Sequence, residues 1–398
     1  MGDRDVVVTG TAALSPFGAG VDALWAGLVE GRVGTAEVTR LDPTPYATRY
    51  GGQVPESALP PDPLPAGTPL AVRYALAVVE AALRDAGVGP GTPRADVALC
   101  LGTVMGTRPH LERLERSVGD PAADPAADLR WVDSGALVEV PARLLGLGGP
   151  VALVSTGCSA GNDAIGQACD LIAAGRADRV VAAAAEELAE GVFALFTGLR
   201  ALAPDVVRPF DRRRRGILPS EGAAALVLEA AGPARARGAR VLARVAGYAA
   251  AADAHHLTAP HPDARALVAC LCDALARAGR APGDVDYVCA HGTGTPASDG
   301  VEAAALARVF SAGPAVSSVK GALGHAQGAA SALEAVVCVR AIGAGVVPGM
   351  PTLGEVDPDC AVVDLVAGPA RRTRVGLAAS VAFGFGGSTS AVLLEAAG

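Results

Sequence analysis

The charged start MGDRD gives way at once to VVVTG, the first of several short apolar runs that predict strands. The stretch VSTGCSAGNDAIGQACDLI, residues 154–172, predicts a buried strand, a turn of small residues and then a helix. Within it Ala164, Ile165, Ala168, Leu171 and Ile172 fall at helical spacing on one face. Uninterrupted apolar strands alternating with helices predict an α/β protein whose sheets are largely parallel and buried on both faces.

The pattern occurs twice. AALRDAGVGPGTPRADVALCLGT (81–103) is matched by DALARAGRAPGDVDYVCAHGTGT (273–295), each a helix, a Gly/Pro turn, a buried strand and Gly-Thr. VALVSTGCSAGNDAIG (151–166) is matched by AVSSVKGALGHAQGAA (315–330), and EGAAALVLEA (221–230) by GGSTSAVLLEA (386–396), an edge on which each half finishes. VVVTGTAALSPFG (6–18) has a looser counterpart in VLARVAGYAAAADA (241–254). The chain therefore divides into two similar α/β halves, residues 1–235 and 236–398. The first carries an extra stretch, 104–148, expected to reach the pocket floor and a dimer interface. In it GDPAADPAAD (119–128) reads as a surface loop. Superposing the halves places Cys158 and Lys320 at equivalent strand-to-helix corners, where reactive groups gather in such folds.

Composition narrows the field. The 398 residues are 51% hydrophobic but only 4% aromatic, so the core is built from small side chains in close contact. A net charge of −8 argues against nucleic acid as a partner, although Arg212, Arg213, Arg214 and Arg215 form a local basic run. The alanine-rich VVAAAAEELAEGVFALF is broken by Glu186, Glu187 and Glu190, so it does not read as a membrane span. Eight cysteines inside apolar patterns read as free thiols of a cytoplasmic protein, and the CxC at Cys270 and Cys272 lacks a second ligand pair for zinc.

Several positions could carry chemistry. Cys158 is either a packing thiol at a tight corner or a nucleophile whose thiolate a helix N-terminus would favour. His291, in HGTGTPASDGVEAAA, is either a satisfied core histidine or a reactive one; Thr293 and Thr295 offer hydroxyls on one side of an extended segment, which suits an amide-rich ligand. Asp299 and Glu302 fall in the first turn of the next helix, where acids suit the dipole. Lys320 follows an apolar strand directly, and a buried lysine needs an anion, for which Glu334 is the candidate beyond His325. FGFGGSTS (383–390) is either a tight turn between the last two strands or a loop aiming N–H groups at a reacting oxygen.

Taken together, the cysteine corner, HGTGTP, VKGALGH and FGFGG resemble, in order and spacing, the β-ketoacyl-acyl carrier protein synthases, the condensing enzymes of fatty-acid and polyketide assembly. The resemblance spans nearly the whole chain and implies a thiolase-like fold, two pseudo-duplicated α/β halves in five αβαβα layers. It implies Cys158 as the acyl-accepting nucleophile, His291 and His325 as catalytic histidines, and Lys320 with Glu334 as a supporting ion pair. The backbone N–H groups of Cys158 and Phe385 would form an oxyanion hole, with Phe385 also gating the pocket. Thr293, Thr295 and Thr258, the last in DAHHLTAP (253–260), would meet the phosphopantetheine arm of an acyl carrier protein, and Arg212 to Arg215 would dock that protein. No metal and no tightly bound cofactor is implied.

The expected activity is extension of a fatty-acid or type II polyketide chain by two carbons through decarboxylative condensation, in a homodimer or a heterodimer with a chain-length-factor subunit. VSTGC is closer to type II polyketide ketosynthases than to housekeeping elongation enzymes. The resemblance departs at Val381 and Ala382, where the family commonly has Asn-Ser, and at Ser388 and Thr389, where it has Thr-Asn. Alternatives are a non-catalytic chain-length-factor-like subunit, which would lack Cys158, and an acyltransferase using a non-malonyl acceptor. A degradative thiolase would want a second catalytic cysteine in a Cys-Gly-Gly loop, which Cys360 does not supply.

Overall fold

In the computed structural model, residues 2–89, 91–120, 125–310 and 313–397 are described. The principal elements of the first half are β1 (Val6–Ser15), α1 (Leu70–Asp85), β2 (Val97–Gly102), α2 (Ala136–Leu145), β3 (Val151–Val154), α3 (Ala160–Ala173), β4 (Arg179–Glu186), α4 (Glu190–Gly198) and β5 (Gly222–Ala230). The second half repeats them as β6 (Ala243–Ala252), α5 (Arg265–Ala278), β7 (Tyr287–Cys289), α6 (Asp299–Val309), β8 (Ala315–Ser317), α7 (Gln327–Ala344), β9 (Leu377–Phe383) and β10 (Ser388–Glu395).

The strands run β8-β7-β9-β10-β6 in one half and β1-β5-β4-β2-β3 in the other, with the short strand Asp364–Leu365 beyond β8. The order is a palindrome about the β6–β1 junction, where Val7 and Val8 meet Arg244 and Ala243 in antiparallel register. The repeat read in the sequence is thus a repeat of topology. The parallel part of each half is limited to β3-β2-β4 and to β8-β7-β9, the latter extended by Asp364–Leu365 parallel to β8. Strands β5, β1, β10 and β6 pair antiparallel, so the expectation of largely parallel sheets is corrected to a mixed sheet. Nor do the Leu-Glu-Ala strands β5 and β10 form edges; each lies inside the sheet beside the junction.

Strand side chains alternate between faces, and that alternation builds five layers. One face of the N-terminal strands (Val97, Leu99, Leu101, Val181) packs on α1 and α2, and one face of the C-terminal strands (Val288, Ala379, Val381, Leu393) packs on α5 and α6. The opposite faces of both halves (Cys100, Val180, Leu226; Cys289, Ala378, Leu394) close on α3 and α7, which form a shared central layer. Helix α7 is buried nearly all round, as its AASALEAVVCV composition requires. At Gly161 the two central helices nearly touch: a Cβ there would stand 2.5 Å from the Ala332 nitrogen. Ile165 and Ile172 are fully buried in this layer, and truncating either to alanine would cost about 2–5 kcal/mol.

The extra stretch 104–148 is mostly helical: Arg108–Ser117, Pro125–Leu129 and α2 lie within it. Of the expected loop 119–128, residues 121–124 lie outside the described residues, and the part from Pro125 begins a helix. No helix among the described residues is long and apolar enough to cross a membrane.

Candidate active site

Strand β3 ends at Val154, and one 3-10 turn, Gly157–Ser159, leads into α3. Cys158 therefore stands at the start of a helix, and it is partly open while Ser159 beside it is buried. The corner is bolted by Asp163, whose Oδ2 accepts from the Ser159 hydroxyl at 2.9 Å and from the Thr156 hydroxyl. Its Oδ1 accepts from the Tyr248 hydroxyl of β6 at 2.9 Å, a tie to the other half. The helix start favours a thiolate, but burial outweighs it and pushes the Cys158 thiol up to about 12; the Lys320 ammonium opposes the rise, and Glu186 and Glu334 add to it.

The HGTGT segment follows β7. Its backbone is held by two buried carboxyls of α6: Glu302 accepts from the His291 N–H at 2.7 Å and the Gly292 N–H at 2.8 Å, and Asp299 from Gly294 at 3.1 Å and Phe210 at 2.7 Å. Both acids are fully buried rather than dipole partners in solvent, and burial raises Asp299 to about 6 and Glu302 to about 8. His325 is clamped by an extended neighbour: its N–H donates to Leu218 O at 2.8 Å, and its carbonyl accepts from Ser220 N at 3.0 Å. Gln327, two residues on, has φ 46°, a strained backbone that turns its N–H onto His325 Nδ1 at 3.2 Å. The His325 ring proton is therefore on Nε2. Lys320 Nζ lies 3.4 Å from His291 Nδ1 and imposes the same tautomer there. Burial, then the Lys320 charge, holds both imidazoles well below the usual histidine range, so both are neutral.

Lys320 and Glu334 are both buried and form an ion pair. Ser318 knits this corner to the histidine loop by donating to Gly292 O at 2.7 Å and accepting from Lys320 N at 3.2 Å. The glycine loop connects β9 to β10. A Cβ at Gly384 would stand 3.0 Å from Cys158 N and 3.4 Å from its sulfur, so any larger residue would press on the cysteine corner. The Ser388 hydroxyl donates to Thr156 O, fastening the loop to the nucleophile corner. Phe385 is exposed and packs on Phe196 with ring centroids 5.4 Å apart. On the far side Gly386 N donates to Leu257 O at 2.8 Å, tying the loop to the 253–260 segment.

These elements surround one cavity of about 400 Å3. The Cys158 sulfur and a ring nitrogen of each of His291 and His325 lie within 4.8 Å of one another. The rings meet edge to face, 5.4 Å apart. Thr258, Thr293 and Thr295 line the same cavity, and the Thr293 and Thr295 hydroxyls are 3.0 Å apart. Val104 and Met105, from the extra stretch, line it too. The arginine run divides. Arg212, Arg213 and Arg215 are exposed, whereas Arg214 turns inward to Asp357 and Thr295 O and so braces the threonine segment instead of facing solvent.

Sequence reasoning missed Glu186. It ends β4 fully buried, with carboxyl oxygens accepting from Val104 and from Met105 N at 3.1 Å, and from Gly328 N at 3.2 Å at the start of α7. Burial raises it to about 7 against those donors. The signal was present as an acid closing an apolar strand, and it was read only as a bar to membrane insertion. The ties of Asp163 to Tyr248 and of Ser388 to Thr156 were missed because those partners are remote in sequence.

A thiol, two neutral imidazoles and a buried ion pair at the mouth of an apolar cavity, on a duplicated α/β fold, define an acyl-handling enzyme. Two family models match: "Beta-ketoacyl synthase, N-terminal domain" over residues 3–234 and "Beta-ketoacyl synthase, C-terminal domain" over residues 242–353. The chain belongs to the β-ketoacyl synthases, thiolase-fold condensing enzymes of the acyltransferase type. It is 35% identical over 420 residues to the tetracenomycin polyketide synthase ketoacyl synthase alpha subunit of Streptomyces glaucescens, covering 98% of this chain and 97% of that one. Among solved structures, the ishigamide ketosynthase/chain length factor superposes with a TM-score of 0.94 at 36% identity, covering 100% of both chains. A type II polyketide ketosynthase, solved bound to the hexaketide with its acyl-carrier protein, gives 0.91 at 28% identity, again over 100% of both.

Proposed function

We propose that this chain loads an acyl group from acyl carrier protein onto Cys158 and condenses it with malonyl-carrier protein, lengthening the chain by two carbons. The observation that carries this reading is the convergence of the Cys158 sulfur and the two imidazoles within 4.8 Å.

In the first step the sulfur attacks the carrier thioester, the acyl–pantetheine bond breaks, and the thiol proton ends on the departing pantetheine sulfur. A thiol with a pKa near 12 makes that proton transfer part of the step. Malonyl thioester then enters with its arm along Thr258, Thr293 and Thr295. Its carboxylate leaves as CO2, and the electrons of that C–C bond become an enolate whose oxygen receives hydrogen bonds from Nε2–H of His291 and His325. Two neutral donors serve here because the Lys320 charge behind His291 adds positive potential without a mobile proton. The enolate carbon attacks the acyl carbonyl, the oxyanion rests on the N–H groups of Cys158 and Phe385, and the Cys158 sulfur departs and recovers a proton from water.

Acyl carrier protein is the partner, approaching over Arg212, Arg213 and Arg215. The dimer mate is a second copy of this chain or a chain-length-factor-like subunit. Intact-mass analysis after incubation with acyl- and malonyl-carrier proteins tests the reading. Acyl adduct on wild type and none on Cys158→Ala, with a ketoacyl product longer by two carbons, is the expected result. Loading that survives Cys158→Ala would overturn it. Reversing Arg212, Arg213 and Arg215 to Glu is expected to raise the carrier-protein KM several-fold, about 1 kcal/mol or less per exposed pair, with kcat unchanged.

A further inference from the structure

Asn162 stands in the first turn of α3, fully buried. Its amide and Ser380 of β9 hold each other from both sides. Asn162 Nδ2 donates to Ser380 O at 3.2 Å, and the Ser380 hydroxyl donates to Asn162 Oδ1 at 3.2 Å. The Asn162 backbone N–H, which a first-turn position leaves without a partner inside the helix, donates to Ser331 Oγ of α7 at 3.1 Å. Ser331 and Ser380 are fully buried as well. Val381, Ala382 and Phe383 complete β9 without a hydrogen-bonding side chain, so Ser380 offers the last one before the glycine loop. A buried amide that loses its partners is costly, and the pair therefore resists any slide of β9 along α3.

The two elements joined in this way lead to the two backbone donors of the oxyanion hole. Cys158 lies just before α3, and Phe385 just after β9. The Ser388 hydroxyl fastens the far end of the glycine loop to Thr156, and the Asn162–Ser380 pair fixes the root from which the loop leaves the sheet. We propose that Asn162 is a positioning residue that sets the separation of the Cys158 and Phe385 N–H groups through Ser380 and β9. The proposal rests on the acyl-acceptor reading above. A tetrahedral oxyanion needs both donors at about 2.7–3.1 Å, so a small slip of β9 weakens one of them. Attack of the Cys158 sulfur on iodoacetamide displaces iodide and builds no oxyanion. Malonyl decarboxylation places its enolate on the histidines. Neither reaction calls on this hole.

The test compares Asn162→Ala, Ser380→Ala and the double variant with wild type, each as the full-length protein with its dimer mate. Acyl transfer from hexanoyl-carrier protein is followed by intact mass, beside iodoacetamide alkylation of Cys158 and CO2 release from malonyl-carrier protein. Each single change is expected to slow acyl transfer ~10-fold at saturating carrier protein with KM unchanged, while alkylation and CO2 release stay within about twofold. The double variant is expected to be no slower than the slower single one, because either change alone breaks the pair. Transfer at the wild-type rate in both single variants overturns the proposal. So do losses that multiply in the double variant, or alkylation that falls as far as transfer. Should Asn162→Ala not fold, Ser380→Ala decides by the same comparison of transfer with alkylation. A wild-type protein that takes no acyl group fails the acyl-acceptor reading itself, a result distinct from variants that match the wild type.

Discussion

The two halves share a strand order and a helix placement, yet they meet the cavity with opposite chemistry. The corner after β3 presents a thiol, and the equivalent corner after β8 presents Lys320, buried against Glu334. The segment after β7 presents His291, Thr293 and Thr295, whereas the segment after β2 presents Val104 and Met105. Duplication thus supplies the scaffold twice, and divergence at equivalent loop positions brings a thiol among apolar side chains from one half and polar side chains from the other. The glycine loop and Asp163 span the two, through Ser388 to Thr156 and Tyr248 to Asp163.

That division can be broken experimentally. Replacing His291 or His325 with Ala removes a donor from the C-terminal half and leaves the thiol in place. Condensation is expected to fall ~10²–10³-fold while acyl loading falls far less; single-turnover measurement of the two steps checks this, and equal losses would mean that the halves do not divide the labour. The thiol side is sharpened by pH. Because the Cys158 thiol lies near 12, its thiolate fraction rises about tenfold per pH unit, so alkylation followed by peptide mass is expected to climb from pH 7 to 10 without levelling. A plateau near pH 8 would show the helix start outweighing burial.

Smaller effects probe the supports. Glu302→Gln places an amide against the N–H groups of His291 and Gly292, and condensation is expected to fall ~10-fold with Cys158 alkylation unchanged. Ser388→Ala releases the bond to Thr156 that joins the halves. Loading and condensation are both expected to slow about 3–10-fold, with kcat affected more than KM and with rescue by Ser388→Thr. If Ser388→Ala behaves as wild type, the loop is held by Gly384 packing and the Leu257 contact alone.

Much of this was legible in the chain. Apolar runs located β1, β2, β3 and β5, and matching the repeats located β6, β7, β8 and β10, because a strand buried on both faces must be continuously apolar. Cys158, His291 and Lys320 stood out because each closely follows such a strand, and His325 through its place in VKGALGH. The antiparallel pairing of β5 and β10 was not legible, since burial of both faces leaves the same apolar signature in either direction. In the sequence Glu186 serves only as a bar to membrane insertion, and Asp299 and Glu302 as dipole-facing acids; their partners are backbone N–H groups, which have no residue type to recognise.

Periodicity, duplication and the motif set are local properties written in residue order, and from them alone follow the α/β halves, the family resemblance and the candidates for the reacting residues. Four matters rested on atoms brought together from distant positions. Folding puts Cys158 in surroundings dry enough to keep its proton, sets both histidines as neutral Nε2–H donors, turns Arg214 inward, and gathers the polar groups of the C-terminal half around one cavity with the thiol of the other. Each depends on which groups stand within a few ångströms and how much water remains between them, and desolvation and hydrogen-bond geometry exist only once the chain has folded.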